Sequence, residues 1–64
     1  MYTHLFNELK KHEISNTLLA GLLGISLKTL KRKLLGQSDW NIDEALKIKS
    51  LLDNLTIEYL FAQN

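Results

Sequence analysis

The chain predicts an all-α fold, a compact bundle of five short helices with a helix-turn-helix near its middle. Three observations carry this. Apolar residues recur three and four positions apart through most of the chain, and nothing alternates as a strand would. Ser15, Ser26, Asn41 and Thr56 stand where helical stretches begin, and Gly24 and Gly36 stand where two of them end. No proline, linker, internal repeat or low-complexity segment interrupts the 64 residues, so 1–64 read as one domain.

Each element follows from its residues. Residues 3–12 form the first helix, with Leu5 and Leu9 four apart and Phe6 widening the stripe. Tyr2 either packs on it or stays free, His4 and His12 are surface residues, and Ile14 drops into the core. Ser15 caps a second helix, about 16–23, whose Leu19, Ala20 and Leu23 share one face. Gly24 ends it in a left-handed turn, and Ile25 fills the bend. Ser26 caps a third helix, about 27–35, which turns Leu30 and Leu34 inward and ends near Gly36. Lys28, Lys31, Arg32 and Lys33 are placed on its outward face. Two short helices about a glycine turn, the second one basic, read as a DNA-binding helix-turn-helix.

Residues 37–40 connect onward. Trp40 has two readings there, a lid over the core or a DNA flank whose indole N–H meets a phosphate. Asn41 with Asp43 and Glu44 opens a fourth helix, since acids in the first turn suit the helix dipole. Its expected buried stripe is Ile42, Ala45, Ile48 and Leu52. Asp53-Asn54 breaks the pattern, and Thr56 caps a last helix that closes the core with Ile57, Leu60 and Phe61. Leu18, Leu22, Leu35, Leu46, Leu51 and Leu55 have no place in that core and suggest a contact surface.

Composition excludes several classes. There is no cysteine, hence no disulfide or thiolate metal site, and two histidines are too few for a closed zinc site. A reducing cytoplasm is the expected location. The uncharged stretch Leu18–Leu27 is too short to cross a bilayer, and Lys28-Thr29-Leu30-Lys31 follows it where a signal peptide would need a cleavage site. No phosphate-binding loop, nucleophile with a base, or metal motif is present. Asp43 and Glu44 are adjacent, so on a helix they point about 100° apart and cannot face one another. Neither an enzyme, a cofactor nor a small-molecule substrate is expected. The net charge of +1 hides an asymmetry: residues 1–38 carry six basic and two acidic residues, whereas residues 39–64 carry two and five. A polyanion would meet the first half.

Leu19-Ala20, Leu23-Gly24-Ile25-Ser26, Thr29-Leu30 and Gly36 resemble the helix-turn-helix of the phage repressor and Cro type, the lambda repressor-like DNA-binding domain. Residues 42–48 and 57–61 resemble that family's fourth and fifth helices, so the likeness covers nearly the whole chain. The chain departs from it at Asn16, usually glutamine, and at Leu18 and Gly21, usually polar. The resemblance implies a transcriptional regulator that lays helix 27–35 in the major groove of double-stranded DNA. Leu27, Lys28, Thr29 and Arg32 then contact bases, Lys28 and Arg32 at guanine and the other two at a thymine methyl. Lys31, Lys33, Asn16, Thr17, Gln37 and Ser38 meet phosphates. A symmetric homodimer through helices 4 and 5, with Leu51, Leu55 and Tyr59 on its surface, would set two recognition helices about 34 Å apart. The competing reading is a protein-interaction module that keeps the fold but binds a repressor or another protein.

Overall fold

Local capping chemistry defines the helices in the computed structural model, which describes residues 1–63. They are α1 (Thr3–Lys11), α2 (Asn16–Leu23), α3 (Leu27–Leu34), α4 (Ile42–Leu51) and α5 (Ile57–Leu60), and no strand occurs among the described residues. The Ser15 hydroxyl accepts from the Leu18 amide at 3.1 Å, and the Ser26 hydroxyl accepts from the Thr29 amide at 3.1 Å. Asn41 Oδ1 accepts from the Glu44 amide (2.8 Å), while Glu44 Oε1 accepts from the Asn41 amide (3.0 Å). That reciprocal box satisfies two first-turn donors at once. The Thr56 hydroxyl accepts from the Tyr59 amide at 3.1 Å. α2 stops at Gly24, whose φ of 69° no side-chain-bearing residue adopts without strain. Glu13 accepts that strain at φ 59°, and the tight turn it makes brings the Ile14 amide onto the Leu9 carbonyl at 2.9 Å.

Leu5, Leu9, Leu19, Leu30, Ile48, Leu52 and Leu60 form the centre of the core, each at most 2% exposed. α2 crosses α3, α1 meets α5, and α4 packs on α2. Truncating one such leucine to alanine costs about 2–5 kcal/mol, against a total stability of only about 5–15 kcal/mol for a domain. Tyr2 is buried, not free. Its ring stands edge-on to Trp40 (6.0 Å) and Phe61 (6.2 Å), and its amide donates to the Leu34 carbonyl at 3.1 Å.

The structure corrects the expected stripe of α4. Ile48 and Leu52 are buried, but Ile42 is 77% exposed, and the third inward residue is Glu44. Positions 44, 48 and 52 are spaced by four, so the true stripe runs through a glutamate. Phe6 and Ile57 are also exposed. Leu55, expected on the surface, packs half-buried against the core.

Candidate nucleic-acid interface

The turn at Gly24 sets the geometry of α3. With α2 ended there, the Ile25 amide bonds back to the Ala20 carbonyl (3.1 Å), and Ser26 starts the next helix at once. Leu30 and Leu34 face the core. Leu27, Lys28, Lys31, Arg32 and Leu35 are exposed, lying in two adjacent rows spaced by four residues. Thr29 is half-buried at the edge of this face. Its hydroxyl accepts from the Ser26 hydroxyl at 2.9 Å.

Lys33 is not on that face. Only 8% exposed, it donates from Nζ to the Asp39 carbonyl (2.7 Å) and to Glu44 Oε1 (2.8 Å), and it lies 5.7 Å from the Trp40 ring centroid. One turn-step of about 100° separates it from Arg32, enough to carry it from solvent to the interior. The expected phosphate contact by Lys33 is therefore withdrawn; its ammonium pins α3 to the start of α4. Glu44 answers it. Burial alone pushes the Glu44 carboxyl up, but the Lys33 hydrogen bond, the Asn41 amide and the charges of Lys33 and Lys47 outweigh that and hold it below its ordinary value.

The other expected phosphate contacts divide. Asn16, at the start of α2, comes beside Lys31, and both line a depression of about 240 Å³ with Phe6, Leu34 and Leu35. Thr17 is exposed. The Gln37 backbone amide already donates to the Arg32 carbonyl at 2.9 Å, which leaves only the exposed side chain for a ligand. Ser38 is half-buried. Trp40 is the lid and not the flank: it packs on the core edge-on to Phe61 (5.5 Å), and its indole nitrogen is buried without a partner. Leu35 joins the exposed face of α3 without having been expected there. It is 51% exposed beside Lys31, and its four-residue spacing from Lys31 was the available signal.

Of the three residues expected on a dimer surface, Leu55 packs half-buried against the core, Tyr59 is exposed and tilts against the His4 ring at 4.4 Å, and Leu51 is exposed and faces α2. Among the described residues no cluster of three His, Asp or Glu converges as a metal site, and no helix is long and apolar enough to cross a membrane.

No curated protein and no solved structure matches the chain. A model of the BetR domain family matches residues 4–64, from the first turn of α1 to beyond α5. The phage repressor and Cro type is not what this match names. With nearly its full length matched, the chain belongs to the BetR domain family.

Proposed function

We propose that this BetR domain is a sequence-specific transcriptional regulator of the phage repressor or Cro type, acting in the cytoplasm by placing α3 in the major groove of double-stranded DNA. One observation carries the reading: Lys28, Lys31 and Arg32 share the exposed face of a capped helix whose remaining side turns into the core. Family membership supports it, because the BetR domain is a small helix-turn-helix-like domain of some phage and bacterial regulators. Arg32 reads guanine through two parallel donors, and Lys28 reads it as a point charge. Leu27 and the Thr29 methyl meet thymine methyls. Lys31, with Asn16 beside it, neutralises the groove wall. The role needs neither a cofactor nor catalysis.

One small module buries a modest interface on DNA, so the protein is expected to act as a symmetric dimer on an imperfect palindrome. Gel shift on fragmented genomic DNA at low and high salt tests the reading, followed by selection from a random duplex pool. Salt-sensitive binding that retains some fragments preferentially supports it. Absence of binding at low salt sinks it and favours the protein-interaction module, for which the uncharged, leucine-bearing outer face of α2 is the specific argument.

A further inference from the structure

α2, Asn-Thr-Leu-Leu-Ala-Gly-Leu-Leu, holds no charged residue over its eight positions. Its inner side buries Leu19, Ala20 and Leu23, while Leu18 (53%) and Leu22 (47%) stand exposed one turn apart. Gly21 lies between them, and a Cβ there would meet nothing within 4 Å, so this side is flat and open. Beside it, α4 contributes Leu51, 41% exposed. A groove of about 270 Å³ runs between the helices, floored by Leu19 and Leu23, walled by Leu22 and Leu51, with Lys47 at its rim. A row of leucines held in water in this way marks an interaction surface.

We propose that a second copy of this chain covers the α2–α4 face, burying Leu18, Leu22 and Leu51 against its own and pairing Asp43 of each copy with Lys47 of the other. This locates the dimer of the proposed function and rests on that reading only for the existence of a dimer. Charge selects the copy. Among the described residues Lys47 is the single ionisable group lining the groove, and Asp43 lies one turn earlier on the same exposed side of α4. Neither makes an ion pair within the chain among the described residues. A two-fold axis crossing α4 with its copy antiparallel sets both opposite-charge pairs at once, since an isologous contact repeats every interaction. The uncharged α2 faces add no repulsion.

A standard interface removes about 800 Å² per partner, roughly a fifth of the total surface of 4238 Å², so the contact extends along both α2 and α4 beyond the three leucines. The face includes no residue of α3, so the side chains proposed to read bases stay free in the dimer.

Sedimentation equilibrium of the whole chain without DNA tests this. The wild type is expected to show a concentration-dependent monomer–dimer equilibrium, and Leu22→Glu or Leu18→Glu to be monomeric with an unchanged circular dichroism spectrum. Asp43→Lys is expected to weaken the dimer about tenfold or more, by like-charge contact. The swap Asp43→Lys with Lys47→Asp is expected to restore most of it. The swap also restores an opposite-charge pair within each α4, so urea unfolding of both variants separates helix stability from the recovery of the dimer. A wild-type monomer at every concentration, a dimer indifferent to Leu22→Glu, or a swap no tighter than Asp43→Lys would each overturn the proposal. A dimer that dissociates as expected yet binds no DNA leaves this face standing and overturns the DNA role instead.

Discussion

Two sides of one helix put the same chemistry to opposite use. On the outer side of α3, Lys28, Lys31 and Arg32 hold their charges in water, with no ion-pair partner among the described residues. On the inner side, Lys33 is 8% exposed and holds an ion pair, a carbonyl and an aromatic ring. A charge in water is cheap to keep and free to meet a ligand. A charge in the interior is tolerable only when every donor is matched, and then it fixes geometry. Lys33 ties the end of α3 to Asp39 and the start of α4, so the inner cation holds the platform that presents the outer ones.

The largest expected effect breaks that pin. Lys33→Ala leaves the buried Glu44 carboxylate without its ion-pair partner, held only by the Asn41 amide and the more distant Lys47 charge, and is expected to cost about 3–5 kcal/mol, read by urea unfolding. Lys31→Ala, on the exposed side, is expected to stay within about 0.5 kcal/mol of wild type. Lys33→Met combined with Glu44→Gln keeps the volume and the capping box and is expected to recover much of the loss. Comparable losses from Lys33→Ala and Lys31→Ala would end the comparison.

Acid acts on the same pair. The folded Glu44 carboxyl titrates below its unfolded value, so its stabilisation is complete above the unfolded range and is lost as pH falls through the folded one. Thermal unfolding temperature is therefore expected to drop as pH is lowered through and below the ordinary glutamate range. Glu44→Gln should flatten that drop. An unchanged acid profile in Glu44→Gln would place the titrating group elsewhere.

Next in size come the positions proposed to read bases. Arg32→Ala and Lys28→Ala are each expected to cost about 1–3 kcal/mol on the selected duplex and to relax preference at one position per half-site. Competition between the cognate duplex and single-base variants measures both. If Arg32→Ala instead lowers affinity for every duplex alike, α3 is rotated in the groove from the placement proposed.

What was legible in the sequence is what local chemistry decides. The caps at Ser15, Ser26, Asn41 and Thr56 each bond an amide three residues on, so the bond and its signal lie in the same short window. Gly24 is of the same kind, and the bounds of α2 match those expected. The misplaced residues depend on what packs opposite. Lys33 reads as surface because it is charged, yet it falls three residues after Leu30, on the inward side, and its partner Glu44 is eleven residues away. Glu44 in turn hid the stripe of α4, since a pattern that counts only apolar residues selects Ile42 instead. A lysine and a glutamate, each on the inward stripe of its helix, form a joint signal that neither helix shows alone.

The smallest expected effect separates the two lysines on DNA. A lysine that neutralises a phosphate releases a counterion on binding, and its removal lowers the slope of log affinity against log salt by about one unit. Lys31 lies beside Asn16 at the edge of the exposed face, so Lys31→Ala is expected to weaken all duplexes alike and to reduce that slope. Lys33 is already neutralised by Glu44, so the Lys33→Met, Glu44→Gln pair is expected to leave the slope unchanged even where affinity shifts. Titrations of cognate and scrambled duplexes at four or more salt concentrations resolve the two slopes. A slope that falls on removing Lys33 but holds on removing Lys31 would mean that the ion pair opens on DNA. In that event the inner cation reaches a phosphate, and the division between the two sides of α3 does not survive binding.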